Sequence, residues 1–175
     1  MEKIRVAIIT GSDSDLPVIA AASKILAEFG ISSSINVASA HRTPERVRQC
    51  VRTAEKRGAE VFIAAAGMAA ALPGVVAAET TLPVIGVPME GKSLGGMDAL
   101  FSIVQMPPGI PVAAVAIGKA GATNAALLAV QILAVGDGAL RKKIAAYRKK
   151  MADSVMKKDA VLQKKGLETY IAAMK

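Results

Sequence analysis

Ile4-Arg5-Val6-Ala7-Ile8-Ile9-Thr10-Gly11-Ser12-Asp13-Ser14-Asp15, running directly into Leu16 to Phe29, decides the fold. From Ile4 to Thr10 the residues are almost continuously apolar and rich in β-branched side chains, as in a strand covered on both faces. Gly11 to Asp15 interrupt that run. Leu16 to Phe29 then repeats apolar residues at helical spacing, with Ser14 or Asp15 available as the cap, Pro17 tolerable in the first turn and Gly30 as the stop. A doubly buried strand that leads through a short polar loop into a helix is one β-loop-α unit.

The same unit recurs along the chain. Ser33 to Ala38 reads as a second strand, His41 and Arg42 fall in its loop, Thr43 stands at the cap and Pro44 at the first helical position, and the helix runs to Gly58. Val61 to Ala66 is a third strand, followed by a small-residue loop and a short helix to about Glu79. Val84 to Val87 is a fourth. A Gly-rich stretch from Glu90 to Gly96, a helical piece around Asp98 to Ile103 and the proline loop Gln105 to Gly109 lead to a fifth strand, Val112 to Ile117, and its helix, Ala122 to Val135. Short apolar strands separated by helices predict an α/β protein: a three-layer α/β/α sandwich around a five-stranded parallel sheet with right-handed crossovers. Strand order 2-1-3-4-5, the flavodoxin-like one, is expected.

The 175 residues suit one ordinary domain, and the charge shows where it ends. Residues 1–138 hold eleven Lys/Arg and eleven Asp/Glu, which cancel, so the formal charge of +8 lies wholly in residues 139–175. There, basic residues alternate with an apolar stripe, Leu140, Ile144, Tyr147, Met151 and Val155, at the spacing of one helix face. The expected organisation is an α/β catalytic domain over 1–138 and a basic amphipathic helical extension over 139–175. Without exposed aromatics or a groove-entering motif, the basic tail reads as a solvated helix face and no nucleic-acid partner is expected. No apolar run reaches the length of a membrane span, and Met1 to Arg5 pass into a strand without the zones of a signal peptide. One cysteine, Cys50, permits no disulfide within the chain. A cytoplasmic protein with no membrane partner is the expectation.

In a sheet of this order the ligand crevice lies outside the carboxyl ends of the strands, where the strand order reverses, and the first three β-α loops meet there. Those loops carry Ser12, Ser14 and Asp15; Ser39, Ala40, His41 and Arg42; and Ala66, Gly67, Ala69, Ala70 and Leu72. A guanidinium, hydroxyls and helix N-termini converging on one crevice suit a phosphate monoester. Asp15 would accept hydrogen bonds from a ribose diol, and the small-residue run would let the backbone approach a planar ligand. His41 is the only histidine, and imidazole is the group best suited to proton transfer near neutral pH. Each residue also has a plainer reading: Ser14 and Asp15 as helix caps, Arg42 as a partner for Glu45, and His41 as an incidental loop residue.

Several other α/β functions are excluded by missing groups. No Gly-x-Gly-x-x-Gly follows strand one and no Walker loop is present, which argues against dinucleotides and nucleoside triphosphates. A phosphoacceptor would need an Asp at the end of strand three, where Ala66 and Gly67 stand. Flavin stacking partners are lacking in these loops, and one His with one Cys supports no metal site.

At these residues the chain resembles the N5-carboxyaminoimidazole ribonucleotide mutase family of purine biosynthesis, to which aminoimidazole ribonucleotide carboxylases are related. The matching strings are Gly11-Ser12-Asp13-Ser14-Asp15, Ser39-Ala40-His41-Arg42-Thr43-Pro44, Ala71-Leu72-Pro73-Gly74, Ser102-Ile103-Val104-Gln105-Met106-Pro107 and Ala116-Ile117-Gly118-Lys119-Ala120-Gly121, between about Val6 and Ile132. The resemblance implies an isomerase that moves the carboxylate from the exocyclic nitrogen of the substrate to C4 of its imidazole, with no cofactor and no metal. It further implies His41 as the group that protonates the departing nitrogen and later removes the C4 proton, with Ser12, Asp15 and Arg42 on the ribose phosphate. A homo-oligomer, an octamer in this family, is implied as well.

Two positions depart from the pattern. Many mutases carry a second histidine in Gly-Gly-Ala-Ala-His-Leu-Pro-Gly, where this chain has Met68 and Ala71. The carboxylase branch, which uses CO2 directly, tends to read Ser-Ala-His-Lys in the second loop, so Arg42 favours the mutase. The competing readings are that carboxylase and a non-catalytic purine-ribonucleotide binder.

Overall fold

Five strands pair side by side in the order β2-β1-β3-β4-β5, all parallel, in a computed structural model that describes residues 2–174. They are β1 (Val6–Thr10), β2 (Ser33–Val37), β3 (Val61–Ala66), β4 (Val84–Pro88) and β5 (Ala113–Ala114). The helices are α1 (Leu16–Glu28), α2 (Pro44–Lys56), α3 (Leu72–Glu79), α4 (Met97–Val104), α5 (Gly118–Leu133), α6 (Gly138–Lys165) and α7 (Leu167–Ala172). The expected flavodoxin-like sandwich is thus observed.

The central strands are buried along their whole length because alternate side chains feed two cores. Val6 and Ile8 of β1, Val61, Ile63 and Ala65 of β3 and Ile85 and Val87 of β4 face α1 and α5. Ala7 and Ile9, Phe62, Ala64 and Ala66, and Val84 face α2, α3 and α4. Helix α2 answers with Val47, Cys50, Val51 and Ala54, spaced three and four apart. Each fully buried Ile or Leu in these layers contributes about 1.5–3 kcal/mol. Helix α5 meets the sheet with Ala122, Ala125, Ala126 and Ala129, and in its first turn a Cβ on Gly121 would fall 1.6 Å from the carbonyl oxygen of Ala116, in the segment that enters the helix.

β5 is shorter than the expected Val112 to Ile117. It is an edge strand paired only with β4, and Val115 donates to the carbonyl of Gly86 as the last rung. The next rung would require an N–H from Pro88, which has none. The helix after it starts earlier than expected, at Gly118.

The first turns of α6 are anchored to the domain. Asp137 Oδ1 accepts from the backbone N–H of Ala139 and Leu140 at 2.9 and 3.1 Å, Leu140 is buried, Lys143 donates to the carbonyl of Phe29, and Tyr147 packs on the Phe29 ring with centroids 5.5 Å apart. From Met151 outward the apolar stripe is exposed. Among the described residues no helix is long and apolar enough to cross a membrane.

Candidate functional site

At the carboxyl edge of the sheet the loops after β1, β2 and β3 enclose a crevice of about 790 Å³. All twelve residues singled out from the sequence line it: Ser12, Ser14 and Asp15 from the first loop, Ser39, Ala40, His41 and Arg42 from the second, and Ala66, Gly67, Ala69, Ala70 and Leu72 from the third. The position follows from the fold, since β1 lies between β2 and β3 and their loops are neighbours.

The first loop is organised by Ser12, not by the residues expected to cap α1. A 3-10 turn at Asp13–Asp15 precedes that helix, and Ser12 Oγ accepts from the backbone N–H and the hydroxyl of Ser14, at 3.2 and 2.8 Å. Asp15 stands at the N-cap of α1 without capping it. Its Oδ2 lies 3.2 Å from Thr10 Oγ1 and its Oδ1 3.4 Å from Ser14 Oγ. Thr10, fully buried at the end of β1, therefore aims Asp15 toward the crevice. Burial pushes the Asp15 carboxyl above its ordinary range, the hydrogen bonds from Thr10 and Ser14 oppose the rise, and the Asp13 charge adds to it.

The second loop is a tight turn held by its own side chains. Thr43 Oγ1 accepts from the backbone N–H of Ser39 at 2.9 Å and lies 3.1 Å from its carbonyl, so Thr43 braces the loop instead of capping α2. Ser39 Oγ accepts from both the backbone N–H and Nε of Arg42. The other end of the guanidinium reaches across to the carbonyl of Gly11 at 3.3 Å. Arg42 does not pair with Glu45, whose partner is Arg48, itself also bonded to Glu79 at 2.9 Å. His41 is exposed at the rim of the crevice. Cys50, by contrast, is buried in α2, where burial raises its thiol pKa against the lowering effect of Arg46.

The third loop supplies an apolar wall. Ala66, the last residue of β3, accepts from the N–H of Met89, which brings the β4 loop alongside. That loop is the part of the site sequence reasoning missed: Glu90, Lys92, Ser93 and, at the start of α4, Asp98 also line the crevice. Asp98 Oδ1 is buried with no hydrogen-bond partner among the described residues. The Gly-rich composition from Glu90 to Gly96 was the available signal, because a loop without side-chain bulk can fold over a neighbouring strand end. Among the described residues no group of three or more His, Cys, Asp or Glu side chains is placed to hold a metal ion.

Fold and crevice define a flavodoxin-like α/β protein with a polar small-molecule site at its topological switch point. Residues 5–154 match the family described as AIR carboxylase, and the chain belongs to that family. It is 53% identical over 171 residues to the N5-carboxyaminoimidazole ribonucleotide mutase of Pyrococcus horikoshii, covering 98% of this chain and 96% of that one. The Saccharomyces cerevisiae phosphoribosylaminoimidazole carboxylase is 50% identical over 171 residues, which are 98% of this chain but 30% of the yeast protein. The crystal structure of PurE from Treponema denticola superposes with a TM-score of 0.81 at 31% identity, covering 90% of this chain and 97% of that one.

Proposed function

We propose that this chain is an isomerase of purine biosynthesis that converts N5-carboxyaminoimidazole ribonucleotide to its C4-carboxylated isomer. One observation above all supports the reading: a single crevice offers hydroxyls and a guanidinium at one end, an imidazole at its rim and an alanine-rich wall at the other. The ribose phosphate sits against Ser12, Ser14, Ser39 and Arg42, with the ribose diol on Asp15. The heterocycle lies along Ala40, Ala66, Gly67, Ala69, Ala70 and Leu72. His41 protonates the exocyclic nitrogen as the N–C bond breaks, leaving its electron pair on nitrogen and releasing CO2 in the crevice. C4 then bonds to the carbon of CO2, and His41 takes back the C4 proton. One imidazole serves both transfers, and the reaction consumes no net proton. Holding CO2 beside C4 gives it a high effective concentration, which is where most of the acceleration arises.

The test is direct: the purified chain, given the N5-carboxylated substrate without ATP, forms the C4 carboxylate. The S. cerevisiae relative is named a carboxylase, and a chain acting that way would form the same product from aminoimidazole ribonucleotide only as bicarbonate or CO2 is supplied. A ribonucleotide binder would take up the substrate and return it unchanged.

The protein works as a homo-oligomer, an octamer by the resemblance, in the cytoplasm. Apolar side chains left open on one copy support assembly: Val37 on the edge strand β2, Phe101 and Val104 on α4, and Val155 on the outer half of α6. Residues 139–175 act as an extension whose first turns dock on the domain of residues 1–138 and whose remainder covers a neighbouring copy.

A further inference from the structure

Apart from His41, the basic side chains lining the crevice among the described residues are Arg42 and Lys92. They stand on opposite flanks. Arg42 comes from the loop after β2 and Lys92 from the loop after β4, and with β1 and β3 between them those strands lie three spacings apart, about 14 Å. Arg42 is committed at its own end by Ser39 Oγ and the carbonyl of Gly11. Lys92 is carried on a loop of defined shape. The N–H of Gly95 donates to the carbonyl of Gly91 at 3.0 Å, closing a turn with Lys92, Ser93 and Leu94 at its tip. Gly96 pins that turn: its φ is 88°, and a Cβ there would fall 2.9 Å from the carbonyl oxygen of Met89 at the end of β4. Glu90 turns elsewhere, since a Cβ on Gly118 would fall 3.0 Å from its Oε1, at the start of α5, where a helix end favours a carboxylate. No ion pair joins Lys92 to Glu90 or to any other acid among the described residues.

The ligand of the proposed reaction carries two anionic groups, the ribose phosphate and the carboxylate that moves. Arg42 serves the first. The second lies at the heterocycle end of a crevice also lined by Asp15, Glu90 and Asp98, whose charges oppose a carboxylate that arrives without a cation. We infer that Lys92 is the specificity-determining residue for that carboxylate: its ammonium pairs with the group on the exocyclic nitrogen and again once it is on C4, and so distinguishes carboxylated ribonucleotides from aminoimidazole ribonucleotide. A compact charge on a flexible stem follows a carboxylate between neighbouring positions of one ring, which a rigid fork does less well. The inference rests on the proposed reaction, and Lys92 lies outside all five strings shared with the mutase family.

The experiment compares two ligands that differ by the carboxylate alone. Binding of the C4-carboxylated ribonucleotide and of aminoimidazole ribonucleotide is measured by titration calorimetry, at one salt concentration, on wild type, Lys92→Met, Lys92→Arg and Arg42→Met. Wild type binds the carboxylated ligand more tightly. In Lys92→Met that affinity falls about 5- to 20-fold, as for a charge-assisted bond partly open to water, while affinity for aminoimidazole ribonucleotide stays within about twofold. Lys92→Arg keeps the preference, and Arg42→Met weakens both ligands alike. A wild type without preference overturns the inference while leaving the reaction standing. So does a Lys92→Met variant that weakens both ligands equally, whether or not its assembly mass changes, or a Lys92→Arg variant that loses the preference as fully as Lys92→Met. Failure of wild type to form any C4 carboxylate from the N5-carboxylated substrate overturns the proposed function, and the inference with it.

Discussion

Arg42 Nη2 donates to the carbonyl oxygen of Gly11 at 3.3 Å, joining the loop after β2 to the loop after β1. The same side chain is steadied by Ser39 Oγ at Nε, so its charge is held over the crevice by one contact from each loop. Pre-placed in this way, the guanidinium loses little freedom when an anion arrives. Replacing it with methionine removes the charge while keeping much of the apolar stem. Arg42→Met should weaken binding of the ribonucleotide about 10- to 100-fold, since hydrogen bonds to charged groups are worth about 1.5–3 kcal/mol. Titration calorimetry with aminoimidazole ribonucleotide checks this, and binding within threefold of wild type would remove the phosphate from this corner.

The role proposed for His41 predicts a different signature, because a group that moves protons leaves the phosphate contacts untouched. Exposed at the rim, it contributes little to packing, and His41→Asn should leave the fold intact. Turnover should drop by about 10²–10⁴, the usual contribution of a positioned acid or base, while affinity for aminoimidazole ribonucleotide stays within about threefold by the same principle of separable roles. A variant as fast as wild type would show that the proton moves by another route.

Asp15 couples the site to stability. Burial raises its carboxyl in the folded chain, hydrogen bonds from Thr10 and Ser14 hold the rise down, and Asp13 adds to it. The folded state therefore binds this proton more tightly than the unfolded state. Its contribution to stability is complete below the ordinary carboxylate range and is lost as pH rises through the raised value. Asp15→Asn cannot ionise, so the difference in thermal midpoint between variant and wild type should shift in favour of the variant as pH passes from acid to neutral. Ligand affinity should fall at the same time, because an amide is a poorer acceptor for a ribose diol. A pH-independent difference between the two proteins would refute the argument.

The periodicities that made the fold legible are the ones the cores use. Val6 and Ile8 face one helical layer and Ala7 and Ile9 the other, and a strand covered twice cannot show polar alternation. The crevice was legible for a related reason: strand order fixes which loops meet, and their composition together with the family resemblance named twelve of its lining residues. Legibility stopped where side chains chose among local partners. Asp15 was readable as a cap, yet its carboxylate turns back to Thr10 and Ser14, and the second helical position it would have capped is Pro17, which has no N–H to offer. β5 was overextended because its end depends on Pro88, a residue of the neighbouring strand. Asp98 belongs to the crevice through a loop that crosses from β4; the glycines between Glu90 and Gly96 mark that loop as able to cross but not which strand end it reaches.

The outer half of α6 carries the last prediction. Helix α6 is 28 residues long, but its docking contacts end near Tyr147, which packs on Phe29. The stripe that docks it continues outward at the same helical spacing through Met151 and Val155, and those two are 47% and 65% exposed. An apolar face interleaved with lysines is soluble as a surface, yet nothing in its own charge pattern requires the apolar positions to be kept. A second copy covering them does require it. Val155→Asp would place a carboxylate in that contact, and burying an unpaired charge costs several kcal/mol, so association should weaken by roughly 100-fold. Light scattering at micromolar concentration should show wild type as a multiple of the chain mass and Val155→Asp as smaller species. Far-UV circular dichroism should remain unchanged, because Val155 touches no core of its own chain. A wild type that scatters as a monomer, or a variant that assembles undiminished, would show that this stripe faces water.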